Sequence, residues 1–126
     1  VVGIYGSLEA IPQVYVNGRL TLVENIADLG GVRVAYDALQ LRLRAEPQKR
    51  RIIDGLTPEQ RFFVSYAQMW HQLIREQGVR RRLAVDPHSP GRFRGSVPVM
   101  THPEFPEAFK SQKQTHWQKL RDPSVW

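Results

Sequence analysis

The sequence predicts a mainly α-helical fold with long loops and little strand, and three observations carry that prediction. Apolar residues recur at helical spacing through residues 22–43 and again through 62–74. The second stretch opens on a helix start signal, Thr57-Pro58-Glu59-Gln60. Proline and glycine crowd the remainder, most densely through residues 84–100, which read as a loop.

Taken in order, residues 1–20 hold Ile4, Tyr5, Leu8, Ile11, Val14, Tyr15 and Val16, with Pro12 opposing helix and Asn17-Gly18 marking a turn. Val14 to Val16 reads as a short strand. The first long helix is expected from about Leu22 to Arg44, its stripe of Leu22, Ile26, Leu29, Val32, Tyr36, Leu39 and Leu43 facing a core. Gly30 and Gly31 each cost up to about 1 kcal/mol relative to alanine inside a helix. Close packing against another helix would offset that cost, and a break at Gly30 would contradict the reading. The polar stretch from Ala45 to Gly55, with Pro47, ends this helix.

The second helix is expected to start at Thr57 as N-cap, with Pro58 in the first helical position and Gln60 closing a capping box. Phe62, Phe63, Tyr66, Met69, Trp70, Leu73 and Ile74 form its core stripe, His71 lies beside that stripe as a surface or packing histidine, and Gly78 is the expected terminator. The loop 84–100 holds Asp86, His88, Arg92 and Arg94; loops braced by helices often carry functional groups. A short third helix is expected within 101–114, with Thr101 and Glu104 as a second capping box, Phe105 and Phe109 buried and His102 exposed. His116 and Trp117 sit in a basic tail before Trp126.

Composition bounds the function. A chain of 126 residues with 41% hydrophobic content can bury one modest core, so residues 1–126 read as a single unit. No apolar run approaches a membrane span, the first residues lack a signal-peptide pattern, and Val1-Val2-Gly3 reads as mid-chain sequence. Without cysteine there are no disulfides and no thiolate metal sites, so any metal must be held by nitrogen and oxygen. The net charge of +6 concentrates at Lys49-Arg50-Arg51 and Arg80-Arg81-Arg82. Aromatic residues are not interleaved with these clusters as a nucleic-acid stacking surface requires, so they read as solvated helix ends and loops, and nucleic acid is not an expected partner. There is no P-loop, dinucleotide fingerprint or serine-nucleophile elbow.

The stretch Thr21 to Gly31 places Glu24 and Asp28 four residues apart on one helix face. Like charges at that spacing are mutually destabilising and ask for a cation, a metal or a protonated partner. The same face continues through Gly31 and Ala35, leaving little side-chain bulk. By spacing alone, acidic residues in a first turn need mean no more than a favourable helix dipole.

Three ordered blocks alter that reading. Val16 to Gly31, centred on Glu24-Asn25-Ile26-Ala27-Asp28, resembles the Gly-Glu-Asn-Ile-Ala-Asp block of the neprilysin and endothelin-converting-enzyme family of zinc metallopeptidases. Gly55-Leu56-Thr57, Gln60-Arg61-Phe62-Phe63 and Ala67-Gln68-Met69-Trp70 are similar to a second block, and Asp86-Pro87-His88-Ser89-Pro90 with Arg94 to a third; the chain ends in Trp126 as family members do. The resemblance implies a zincin-like catalytic domain whose C-terminal helical part this is. It implies Glu24 as the third zinc ligand and Asp28 as acceptor for the ring N–H of a zinc-bound histidine. His88 would stabilise the oxyanion of the tetrahedral intermediate, and Arg94 would hydrogen-bond the substrate backbone.

Two departures matter. Val23 stands where the family has glycine, and the H-E-x-x-H motif that supplies two zinc ligands and the general base is absent: His71, His88, His102 and His116 are nowhere paired at that spacing. A catalytic zinc needs three protein ligands and an open position, and this chain offers one. The expectation is therefore the C-terminal part of a zinc metalloendopeptidase acting on peptides, binding one zinc ion only with histidines from the remainder of the peptidase or a complementing chain, and inactive alone. The alternative is a degenerate, non-catalytic relative serving as an interaction module. Pro123, at a position that is cysteine in disulfide-bonded animal members, points to a bacterial-type protein with its compartment open: periplasmic, extracellular or cytoplasmic.

Overall fold

The computed structural model describes residues 1–110. A short helix α1 (Val2–Gly6) leads into a hairpin of β1 (Glu9–Ile11) and β2 (Val14–Tyr15), paired antiparallel with Glu9 opposite Tyr15 and Ile11 opposite Val14. The 24-residue α2 (Leu22–Ala45) follows, then a 3-10 turn (Pro47–Lys49), α3 (Pro58–Met69), α4 (Glu76–Val85), α5 (Gly91–Met100) and α6 (Phe105–Phe109). The expectation of a mainly helical fold with little strand holds.

The expected turn at Asn17-Gly18 is built by Asn17, whose side-chain oxygen accepts from the backbone N–H groups of Arg19 (3.2 Å) and Leu20 (3.1 Å). The hairpin tip puts Gln13 at a φ of 63°, and its N–H is taken up by the Glu9 carboxylate at 2.7 Å. Helix α2 runs unbroken through Gly30 and Gly31, and Leu29, Val32, Tyr36 and Leu43 of the expected stripe are buried. Helix α3 starts as the sequence indicates: Thr57 Oγ1 accepts from the Gln60 N–H at 3.2 Å, and Gln60 Oε1 accepts from the Thr57 N–H at 2.9 Å.

Three expectations about element bounds and caps fail. The second helix stops at Met69 instead of running to Gly78, so Leu73 is fully exposed (101%), and Gly78 lies inside α4, the Arg-rich helix that the longer reading had hidden. Residues 91–100 are helix α5, not loop. Their glycines serve close approach: a Cβ on Gly91 would come within 2.7 Å of the Trp70 carbonyl oxygen, and one on Gly95 within 3.1 Å of both the Ala67 carbonyl oxygen and Trp70 Cβ. Packed that tightly on α3, a helix containing two glycines and Pro98 is held by its neighbours against its own weak propensity. Finally, Thr101 and Glu104 form no capping box: the Thr101 hydroxyl donates back to the Val97 carbonyl at 2.7 Å, and α6 begins at Phe105. His116, Trp117 and Trp126 lie outside the described residues.

Two apolar clusters result. One gathers Tyr5, Leu8, Ala10, Val16, Leu29, Phe93 and Val97, joining α1, the hairpin, α2 and α5. The other stacks Tyr36 on Phe63 with centroids 5.2 Å apart and sets Phe105 edge-on to Phe63 at 5.4 Å, joining α2, α3 and α6. Helix α5 belongs to both, through Phe93 and Val97 on one side and Val99 on the other.

His102, expected at the surface, is 4% exposed and sits 4.6 Å from the Tyr36 ring. Burial pushes its pKa from 6.5 down to about 4, with Arg33 adding to the effect and Asp37 opposing it. A folded-state pKa below the unfolded one means that the unfolded chain binds the extra proton. The contribution is therefore complete above pH 6.5 and is lost as pH falls toward 4. Thermal melts across this window should show the loss, and His102→Phe should flatten it. Replacing Thr57 by alanine should cost about 1 kcal/mol in urea denaturation through loss of the α3 cap.

Candidate active site

Helix α2 presents Glu24 and Asp28 on one side of its first turns; α5 and the 86–90 segment close on them from across the core. Arg94 on α5 grips Asp28 with two parallel bonds, Nε to Oδ2 at 2.6 Å and Nη2 to Oδ1 at 2.8 Å. With side-chain exposures of 15% and 9%, this fork is shielded enough for charge-assisted hydrogen bonding to count. The bonds to Asp28 hold the guanidinium pKa above its usual value, against the opposing effect of burial. Its carbon stacks 3.9 Å above the Trp70 ring.

Glu24 faces both Arg94 and His88. Arg94 Nη2 is 3.8 Å from its Oε2, and His88 Nε2 is 3.3 Å from the same oxygen. Asp86 in turn orients His88: one carboxylate oxygen meets the ring Nδ1 at 2.7 Å and accepts from the His88 backbone N–H at 3.0 Å. Those two bonds, the backbone one foremost, lower the Asp86 pKa, so Asp86 is an anion at neutral pH and favours Nδ1–H on the ring.

The loop bearing His88 is tied to α2 by a buried polar chain. Ser89 donates to Asn25 Oδ1 at 2.7 Å, Asn25 donates to Thr21 Oγ1 at 2.9 Å, and the Thr21 hydroxyl donates to the Asn17 carbonyl at 3.0 Å. Asn25 is fully buried. Nearby, Arg92 reaches from α5 to the Ala10 carbonyl at 2.7 Å and anchors the hairpin. Beside the Arg94 fork, burial raises the Tyr66 hydroxyl pKa to about 12, helped by Asp28, and drives that of Tyr5 up in the same way. Both phenols stay protonated at neutral pH.

All four sequence-derived candidates, Glu24, Asp28, His88 and Arg94, thus meet in one place. Asp28 and Arg94, expected in separate roles, are bonded to each other. Three contributors were not singled out beforehand, Asn25, Ser89 and Trp70, and Asp86 was named in its loop without a role. Asn25 did carry a signal, being a polar residue on the core-facing side of α2.

The donor set bears on a metal. Among the described residues no group of three or more His, Cys, Asp or Glu side chains stands close enough to hold one. Glu24, half-exposed and with one oxygen already facing Arg94 and His88, fits a single-arm oxygen ligand and no more.

A family profile described as Peptidase family M13 matches residues 2–122. Endothelin-converting enzyme 1 of Bos taurus is 42% identical over 95 residues, covering 75% of this chain and 13% of that protein. Neprilysin-1 of Caenorhabditis elegans is 38% identical over 114 residues, 88% of this chain and 15% of its own. Among solved structures, the Mycobacterium tuberculosis zinc metalloprotease Zmp1 in its open state matches with a TM-score of 0.84 at 36% identity, over 95% of this chain and 20% of that one. Its inhibitor complex matches with a TM-score of 0.82 at 38% identity, over 97% and 19%. The chain belongs to peptidase family M13, the neprilysin and endothelin-converting-enzyme family of zinc metallopeptidases. It spans about a fifth or less of the length of these relatives.

Breaking the fork by Asp28→Asn leaves a shielded guanidinium with only Glu24, 3.8 Å away, as counter-charge and should destabilise the chain by about 3 kcal/mol in urea unfolding. With Asp28 intact, Arg94→Lys should also destabilise the chain, since an ammonium cannot make both bonds.

Proposed function

We propose that this chain is the C-terminal part of the catalytic domain of an M13 zinc metalloendopeptidase, hydrolysing peptides once its remaining zinc ligands are supplied. The observation that carries this reading is the setting of Glu24: one carboxylate oxygen faced by both His88 and Arg94, on a helix whose outer side is apolar and open. Along α2, Val23, Ala27, Gly31, Val34, Ala38 and Leu41 are exposed and fall on one stripe at helical spacing. Val23, the departure from the family's glycine, joins this stripe. A helix apolar on two sides is built to be covered on both. The H-E-x-x-H helix of the family, absent from these residues, is the partner we assign to the open side.

In the assembled enzyme Glu24 would supply the oxygen ligand, and zinc would polarise the scissile carbonyl and activate water. The residues of this chain then have separable tasks. His88, held by Asp86 with Nδ1 protonated, turns Nε2 toward the reaction centre; in its protonated form it donates there to negative charge developing on a carbonyl oxygen. Arg94 spends Nε and one Nη2 hydrogen on Asp28 and keeps Nη1 for a substrate carbonyl, so its position is fixed before substrate arrives. Asp28 serves as the strut for Arg94 and keeps lone pairs for the ring N–H of a zinc-bound histidine.

The isolated 126-residue chain should cleave no peptide with or without zinc. Mixed or co-expressed with an M13 segment bearing H-E-x-x-H, it should acquire zinc-dependent endopeptidase activity that Glu24→Gln abolishes. In that assembly His88→Gln should lower kcat by about 10²-fold or more with little change in KM. Folded assembly without activity would support the non-catalytic interaction module instead.

A further inference from the structure

A second concavity lies along the C-terminal half of α2. It is a groove of about 890 Å³ between α2, the 46–57 connection and α3, separate from the residues assigned to catalysis. Leu39, Phe62, Tyr66 and Met69 form its floor, and Met69 holds an apolar side chain 67% exposed there. Its rim is cationic on three sides: Arg42 from α2, Lys49 and Arg51 from the connection, and Arg61 from α3. Among the described residues no acidic one lines it. Glu46 is shared between Arg42 at 2.6 Å and Lys49 at 2.8 Å, so one carboxylate serves two cations. Arg61 spends its Nη1 on the carbonyls of Leu56 and Arg51, which leaves its charge uncompensated.

We propose that this groove is the docking site of an acidic, amphipathic polypeptide segment, with apolar side chains seated on the floor and carboxylates distributed around the rim. Three features select that partner. Cations on three sides call for several separated negative charges, which a single-headed anion such as a fatty acid does not carry. A concave floor is out of reach of a flat bilayer surface but not of projecting side chains. A nucleic-acid backbone would meet the cations while leaving the apolar floor uncovered. The floor gives affinity, and the rim selects charge sign and steers the encounter.

Fluorescence anisotropy of the 126-residue chain with a labelled amphipathic helix of about 20 residues, long enough to span roughly 30 Å, tests this. Its flanks carry glutamates and one face carries leucine and phenylalanine; the control replaces every glutamate by lysine. The acidic peptide should bind, weakening steeply between roughly 0.05 and 0.5 M salt as the Debye length shortens, and the lysine control should bind at least about tenfold more weakly. The triple variant Arg42→Gln, Lys49→Gln, Arg51→Gln should weaken binding about tenfold and flatten the salt dependence. Met69→Gln should weaken it while leaving the salt dependence intact. All of these side chains are solvent-accessible, and an unchanged thermal melt confirms that each variant is folded. Absence of binding by the acidic peptide, equal binding of the two peptides, or insensitivity to the triple variant overturns the proposal. Tighter capture of phosphatidylserine vesicles, of decanoate or of duplex DNA through the same three cations overturns it as well.

Discussion

The fork between Arg94 and Asp28 is the constraint around which the molecule is organised. It is the bidentate polar link between α2 and α5, and the two cores share the same pair of helices: the α1 and hairpin cluster through Leu29 and Phe93, the aromatic cluster through Tyr36 and Val99. Its two bonds fix direction as well as distance, because a planar guanidinium meets a carboxylate edge-on. Glu24, one turn earlier on α2, inherits that alignment. The stack on Trp70 brings α3 into the same arrangement.

Electrostatics and packing divide the work. A shielded ion pair contributes modestly to net stability, since desolvating both charges offsets much of their attraction. What it does well is exclude alternatives: a slipped α5 would strand both charges in a poorly solvated place. Apolar burial drives collapse, and the fork selects among the collapsed arrangements the one in which Glu24, His88 and Arg94 converge. The buried chain from Ser89 through Asn25 and Thr21 to Asn17 does the same for the loop, since each member is satisfied only in that register.

Much of this was legible in the sequence. The long α2 with its core stripe, the capped start of α3, the Asn17-Gly18 turn and the four site candidates all follow from periodicity, cap chemistry and the three family blocks. What was not legible depended on neighbours. Gly91, Gly95 and Pro98 carry the local signature of a loop, and only the closeness of α3 turns them into a helix. His102 looked exposed because nothing in its own segment announces that Tyr36 and Phe63 will close over it. The end of α3 was overrun because apolar residues continue at helical spacing past Met69, a pattern that fits a helix but does not compel one. Asp86 and Ser89 were read as parts of a loop, and their partners are His88 and, 64 residues from Ser89, Asn25.

The glycines of α5 have one more implication. Arg94 lies between Gly91 and Gly95, where the space a Cβ would fill is taken by the Trp70 carbonyl and the Gln72 side chain at one glycine and by the Ala67 carbonyl and the Trp70 side chain at the other. Side chains can creep by rotamer adjustment, whereas a neighbouring backbone carbonyl, present at each of these glycines, has far less slack. The alignment of the guanidinium is therefore calibrated by atoms that are missing, and a single methyl group at either glycine would act as a shim, tilting the arginine without touching it.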